Sequence, residues 1–430
     1  MDPAVISLLG ILAGLIFLIV AAFKGFNVLF TTIIGSLIVI LFSGVNALEG
    51  MKTIYLPGFA SFAQNYLLLF VLSSVYAKLL GESGAARCIA YKMIGLAYKF
   101  PGKEKLMGVL SMVLITAILT YGGISLYVVA FTLVVIGKDL FKKLDIPWSM
   151  YTCVSLGSST FTMSMLPGNP SVQNLVPAKY LGTTASAAPV VGAICAVLCV
   201  ALGVGWIIHS IRRFEKKGEG FLPSGTEISK VEMSDNEEVP QLNLFLCLLP
   251  SIALLVVLNL FKQDILVALT VAIILTIVLF YKQLVGKIKP ALAAGCGNGV
   301  SAISNVCAVN GFGAIISGVA GYGLVLDNLN NIPGPPIIQV IVAVGLISAV
   351  TGSAAGGMNI AFTSLGEYFL ATGLNPQIVH RIGVMAGGAM SCMPHNGSII
   401  NNMSVPKLYH KYGYKNYFVM TVVIPMNGSY

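Results

Sequence analysis

The chain has 430 residues, of which 57% are hydrophobic and only 10% charged, and its mean hydropathy is +0.89. Soluble domains carry roughly a quarter charged residues, so composition excludes a soluble globular protein and leaves a polytopic membrane protein. The formal net charge of +9 does not point to nucleic acid, because the Lys and Arg residues sit in loops between apolar runs, where they report orientation.

Apolar runs long enough to cross about 30 Å of hydrocarbon fall at 4–22, 28–44, 54–80, 148–175, 185–208, 241–260, 265–281, 291–325, 377–402 and 416–430. The first is too long for the core of a signal peptide and follows Asp2 rather than a basic residue, so an uncleaved helix is expected. Two more segments, 105–137 and 337–370, are each interrupted by a small polar cluster: T-Y-G-G-I-S at Thr120 to Ser125 and T-G-S-A-A-G-G at Thr351 to Gly357.

Treated as hairpins that enter and leave on one side, these segments gather Lys24, the Arg87 to Lys105 group, Lys138 to Lys143, Arg212 to Lys230, Lys282 to Lys289 and Lys407 to Lys415 on one side. The other side receives Lys52, Lys179 and Lys262. The positive-inside rule makes the crowded side cytoplasmic and puts the N-terminus outside. The expected architecture is all-α, with two inverted-topology repeats at 1–210 and 241–430. Each has five transmembrane helices, one of them discontinuous, and one re-entrant hairpin. The polar stretch 211–240 reads as a cytoplasmic linker.

Each half contains a helix-breaking motif near its end: M-L-P-G-N-P-S-V-Q-N at Met165 to Asn174 and M-P-H-N-G-S-I-I-N-N at Met393 to Asn402, each followed by V-P and a Tyr. Pro and Gly inside a membrane helix free backbone groups that lipid cannot satisfy, so such breaks persist around a protected polar cavity. A matched pair is the mark of a secondary transporter built from repeats.

Half-helix N-termini at a break offer free N–H groups and a positive dipole end to an anion. Four tips supply them. The first half gives Thr120, Gly122, Gly123 and Ser125, then Gly168, Asn169, Ser171 and Asn174. The second gives Gly352, Ser353, Gly356, Gly357 and Asn359, then His395, Asn396, Gly397, Ser398 and Asn401. Small residues also serve tight helix packing, but four clusters at corresponding places favour a solute site. No Arg is among these residues, which suits a small, weakly held anion.

His395 lies in the break itself, either as a hydrogen-bonded structural residue or as a group that takes and releases a proton. Glu82 is a second proton-coupling candidate, although it could face water or pair with Arg87. Asp327 and Glu367 fall at outer boundaries, where solvation accounts for them. Arg381 lies inside the span leading to His395 and either neutralises an acidic neighbour or draws in a substrate carboxylate. The eight Cys residues include no C-x-x-C pair, and Cys195 and Cys199 read as packing groups on one helix face. No P-loop, zinc spacing or nucleophile elbow is present, so neither an enzyme nor an ATP-driven pump is expected, and no metal or cofactor.

With these motifs in hand, the chain resembles the gluconate permease family of the ion transporter superfamily. The resemblance rests on E-S-G-A-A-R-C-I-A at Glu82 to Ala90, N-G-F-G-A-I-I-S-G-V at Asn310 to Val319, G-S-A-A-G-G-M-N-I-A at Gly352 to Ala361, and the two breaks. The earlier break has L-P-G-N-P where the gluconate carriers tend to have P-P-H-P-G, and the M-P-H-N-G form of the later one is more similar to the 3-hydroxybutyrate or short-chain monocarboxylate branch. The resemblance implies a proton-coupled symporter of small organic acids with an elevator-like motion, in a bacterial inner membrane, with a homodimer expected. Sodium coupling is the alternative, and a channel a more distant one.

Overall fold

The computed structural model describes residues 2–24, 26–121, 126–159, 165–168, 172–230, 242–261, 263–329 and 334–428. Among them every regular element is helical. In the first half these are α1 (Pro3–Phe23), α2 (Val28–Ser43), α3 (Leu56–Glu82), α4 (Ala85–Ala97), α5 (Glu104–Tyr121), α6 (Leu126–Lys143), α7 (Ser155–Ser158), α8 (Val172–Leu181) and α9 (Pro189–Lys217). In the second half they are α10 (Leu244–Asn259), α11 (Ile265–Leu279), α12 (Ile288–Gly318), α13 (Ala320–Leu329), α14 (Pro336–Thr351), α15 (Ala354–Ala371), α16 (Pro376–Met390), α17 (Gly397–Ser404), α18 (His410–Phe418) and α19 (Ile424–Gly428). A π turn, Met51–Tyr55, joins Ala47–Gly50 to α3, and a 3₁₀ segment, Trp148–Val154, leads into α7.

Where helices start is set by a few short polar side chains. Asn27, Asn46, Asn243, Asn375 and Asn396 each cap a helix by accepting a backbone N–H, as does Asp264 before α11. An N-cap contributes about 0.5–2 kcal/mol in water, and away from water its worth grows with the cost of an unsatisfied donor.

Among the described residues, four stretches are long and apolar enough to cross a membrane: Pro3–Ala21, Ala47–Glu82, Pro189–Lys217 and Ile288–Gly318. Leu9, Leu12, Ile16 and Val20 of α1 and Val267, Val271, Ile274 and Val278 of α11 form exposed apolar stripes at helical spacing, the reverse of a water-facing helix.

The centre is the crossing of α3 with α12. Their backbones touch because of glycine: a Cβ on Gly295 would lie 2.7 Å from Val75 Cα, and one on Gly299 2.8 Å from Val71 Cα. This is the small-residue packing that membranes favour. Around the crossing, partners are exchanged between the halves. Helix α2 packs on α12 while α11 packs on α3, and α1 meets α13 while α10 meets α4.

Both polar-tipped segments are helical pairs, α5 with α6 and α14 with α15. The first arm of each packs against the first arm of its own broken helix, α5 on α7 and α14 on α16. The second arm of each crosses to the other half, α6 on α17 and α15 on α8.

Three sequence expectations change. The run 291–325 is not one helix: Val319 is extended, with φ −109° and ψ 152°, and the chain restarts as α13 because the Gly321 backbone packs against α1. There the Gly321 N–H donates to Ser7 Oγ at 2.9 Å, and a Cβ would collide with the Leu8 nitrogen. Between the expected spans ending at 80 and starting at 105 lies α4, reversed from α3 at Gly84, whose φ of +79° suits only glycine well.

The third change concerns 211–240. Its first turns belong to α9, and Gly220 to Ser229 docks on the protein. The Phe221 N–H donates to Asp145 Oδ1 at 2.8 Å, the Ser149 N–H donates to Ser224 Oγ at 3.0 Å, and the Phe221 ring lies against Trp148. Residues 231–240 lie outside the described residues.

Candidate solute site at two helix breaks

The second break runs from Ser391 to Asn396, between α16 and α17. Its freed carbonyls are met from within the protein. His410 Nε2 lies 3.2 Å from Pro394 O, the Tyr414 hydroxyl donates to Cys392 O at 3.1 Å, and the Asn396 N–H donates to Met393 O at 2.9 Å. Two polar side chains of α18 therefore do what lipid cannot.

Asn396 caps α17, its Oδ1 accepting from the Ser398 N–H and hydroxyl, both at 2.6 Å. Gly397 abuts Val306 of α12, where a Cβ would lie 2.7 Å from a Val306 methyl. The start of α17 is thereby pressed onto the central crossing.

His395 bridges this break to the second hairpin. Its Nε2 lies 3.0 Å from the carbonyl of Ala349, which only accepts, so the hydrogen-bond network assigns the proton of a neutral ring to Nε2 and leaves Nδ1 an acceptor. Nδ1 is buried without a hydrogen-bond partner, and so are both amide atoms of Asn401, whose residue is 0% exposed.

Gly352 terminates α14 at φ +62°, and the imidazole lies 3.0 Å from where its Cβ would be. Ser353 then caps α15 by accepting from the Gly356 N–H at 3.1 Å. Gly357 lets the hairpin arms close, since a Cβ there would collide with Ser348 Cα.

At the first break, Gly168 adopts φ +85° and donates its N–H to Ala185 O at 3.0 Å. Gly192 at the start of α9 lets Met165 O occupy the space a Cβ would fill. Arg381 of α16 reaches across from the other half and is fully buried. Its guanidinium donates to Ala185 O at 3.0 Å, to Ala187 O at 3.0 and 3.1 Å, and to Asn174 Oδ1 at 2.9 Å. Beside it, His380 Nδ1 lies 2.6 Å from the Thr183 hydroxyl, and Gln377 accepts from the Ala188 N–H at 3.3 Å. The second half thus grips the loop before α9 through Gln377, His380 and Arg381 together.

Of the sequence-predicted residues, His395 and Gly352 are brought into contact, Asn396, Gly397 and Ser398 form the α17 cap, and Asn174 joins Arg381. Asn359 is exposed and accepts from the Tyr180 hydroxyl of α8 at 2.7 Å, tying the second hairpin to the first break. Thr120 is buried at the end of α5, donating to Thr116 O at 2.7 Å. Gly122, Gly123, Ser125, Asn169 and Ser171 lie outside the described residues.

Glu82 pairs with Lys78 one turn earlier at 2.8 Å, both side chains about a third exposed, and Asp327 and Glu367 are exposed. Cys195 and Cys199 are buried thiols. Sequence reasoning counted no Arg among the tip residues and gave Arg381 either an acidic neighbour or a substrate carboxylate as its role, whereas the fold brings it within one hydrogen bond of Asn174. It also missed Ser348, a buried hydroxyl without a hydrogen-bond partner, and a ladder of buried hydroxyls at Ser149, Thr152, Ser155 and Ser158. The ladder was legible in one respect: its spacing of three matches a 3₁₀ turn.

Fold and site together describe an all-helical protein with apolar outward faces and two interrupted helices that bury polar groups between its halves. No family model matches the chain. It is 28% identical, over 97% of its length and 96% of the relative's, to a Bacillus subtilis (strain 168) protein named uncharacterized transporter YxjC. Among solved structures it is similar to the crystal structure of the Alcanivorax borkumensis YdaH transporter, with a TM-score of 0.43, 13% identity, and coverage of 89% of this chain and 86% of that one.

Proposed function

We propose that this chain is a secondary active transporter of the bacterial inner membrane that moves a small organic acid anion, a hydroxy-monocarboxylate such as 3-hydroxybutyrate or gluconate, together with a proton. The observation that carries the reading is the crossed packing of each hairpin on the broken helix of the opposite half, which gathers capped half-helix N-termini and the Arg381 charge around buried polar groups. Near-complete coverage of a relative named as a transporter supports the same class.

In this reading the two halves are inverted repeats with the N-terminus outside. The carboxylate lies at the positive N-terminal turns of α15 and α17, beside Gly352 and Gly397, with Asn174 and Asn396 as neutral partners. Each helix terminus contributes about 0.3–1 kcal/mol, and up to about 2 when partly buried, so several must act together. The Nδ1 of His395 is the atom that takes the proton. Access alternates by movement of hairpins and broken helices against the α3–α12 crossing, within a homodimer.

The test is uptake of radiolabelled 3-hydroxybutyrate into proteoliposomes with unlabelled acids as competitors, with and without an imposed pH gradient. Accumulation that follows the pH gradient is expected. Accumulation that requires Na+ and ignores pH replaces the proton with sodium, and flux without saturation or counterflow makes the protein a channel.

A further inference from the structure

Helix α4 has 13 residues and rises about 20 Å, too little to cross about 30 Å of hydrocarbon. Ile89, Ala90, Met93, Ile94 and Ala97 are buried, and the helix packs on α6 of the first hairpin and on α10 of the second half. Its remaining surface carries Lys92 and Leu96, and the turn into α5 adds Tyr98, Lys99, Phe100 and Lys103, all exposed. About half of each apolar side chain is open: Leu96 is 49%, Tyr98 57% and Phe100 44% exposed.

The turn is held by its own main chain. The Lys99 N–H donates to Leu96 O at 3.2 Å, the Phe100 N–H to Ala97 O at 3.0 Å and the Lys103 N–H to Phe100 O at 3.0 Å. Gly102, at φ +75°, donates its N–H to Glu104 Oε1 at 2.9 Å. From α6, the exposed Lys143 places Nζ 5.9 Å from the centre of the Tyr91 ring. Glu104 is the one acidic residue from Ala85 to Lys105, against Arg87, Lys92, Lys99, Lys103 and Lys105. Beyond the turn, α5 exposes Leu114 and Ile118, about three and four helical turns from Lys103 and so on the same side.

Lysines interleaved with exposed Leu, Tyr and Phe suit neither bulk water nor hydrocarbon. The apolar side chains are better buried, and a lysine held in hydrocarbon is costly. The membrane boundary satisfies both, since aromatic rings settle at headgroup level and lysines extend to the interface. An occupant of this face must therefore bring negative charge and hydrocarbon in one molecule. A free phosphate brings the charge alone, and a zwitterionic lipid brings no net charge.

We infer that the turn joining α4 to α5 binds an anionic glycerophospholipid, with its phosphodiester among Lys92, Lys99 and Lys103 and its acyl chains along Phe100, Leu114 and Ile118. The inference requires that the chain lie in a membrane and does not depend on what it carries. Because α4 packs on both halves, the bound lipid braces their contact and stabilises the fold.

The experiment titrates the full chain in detergent with dioctanoyl phosphatidylglycerol, dioctanoyl phosphatidylcholine and glycerol phosphate, reading the thermal midpoint. Phosphatidylglycerol is expected to raise the midpoint saturably and less so at high salt, while the other two leave it in place. Lys99→Gln and Lys103→Gln should each weaken phosphatidylglycerol affinity about fivefold, the equivalent of about 1 kcal/mol per lysine near an anionic surface. The lipid-free midpoint should not move, since both side chains are exposed and the turn is held by main-chain bonds. Lys99→Arg should keep the affinity, and so should Lys52→Gln, which removes an exposed lysine before α3.

Equal responses to the two phospholipids, a response to glycerol phosphate as strong as to phosphatidylglycerol, or unchanged affinity in both lysine variants would overturn the inference. So would an equal loss in Lys52→Gln, which would make the effect one of net charge. Displacement of the lipid by a poly-glutamate peptide would give the face to an acidic soluble partner instead. No transported solute enters the measurement, so its failure leaves the transport reading standing.

Discussion

At the scale of the residue, the polar side chains of this protein divide by what their hydrogen bonds leave over. Arg381 spends its guanidinium on Ala185, Ala187 and Asn174, so replacing it with Met strands several buried acceptors at about 1–3 kcal/mol each. We expect Arg381→Met to lose folded, detergent-extractable protein on size-exclusion chromatography. Arg381→Lys should recover it only in part, since an ammonium cannot span acceptors fixed for a planar fork.

His395 leaves Nδ1 over. His395→Ala is expected to reduce pH-driven uptake by an order of magnitude or more while substrate exchange at equal pH persists; equal, intact activity in both assays would remove His395 from proton coupling. Asn396→Ala removes the α17 cap, which should cost about 1 kcal/mol of stability and weaken substrate affinity in the same competition assay. The sequence made His395 and Asn396 visible because they interrupt an apolar run. It could not show the Arg381 to Asn174 bond, whose partners are about two hundred residues apart and meet only by packing.

At the scale of the element, glycine positions decide how closely helices approach. Gly357→Val would drive a Cβ into Ser348 and push α14 from α15. A thermal midpoint lowered by several degrees is expected, together with loss of uptake. Gly297→Ala on the exposed side of α12, where no atom lies within 4 Å of the added carbon, should be neutral or stabilising by up to about 1 kcal/mol, as Ala exceeds Gly in helix propensity.

The helical pairs α5–α6 and α14–α15, the interruption at Ser391 to Asn396 and the long helices were readable from apolar runs punctuated by Gly, Pro and Asn, because those residues act through local backbone geometry. The split at Val319 was not, since an apolar run reads the same whether or not its backbone bends. What separates α12 from α13 is contact with α1. Helix α4, with Arg87, Lys92 and Tyr91 among its apolar residues, was hidden for the opposite reason, being too mixed in polarity to stand out as a span.

At the scale of the whole molecule, the halves exchange partners around the central crossing, where α2 packs on α12 and α11 on α3. The expected orientation can be checked with single cysteines in a Cys296→Ser background, Cys296 being the exposed cysteine among the described residues. Lys216→Cys should react with an impermeant maleimide only from the cytoplasmic face and Lys52→Cys only from the other. Labelling of both from one face would sink the inverted arrangement.

The sequence by itself determined that this is a membrane protein, where its helices break, and which short polar residues stand at the breaks, because insertion into hydrocarbon and backbone hydrogen bonding are read locally along the chain. Only the tertiary structure decided which hairpin faces which break, and that an arginine from one half secures a loop of the other. Those are outcomes of packing between surfaces far apart in sequence, and pairwise contact leaves no periodicity for a single chain to display.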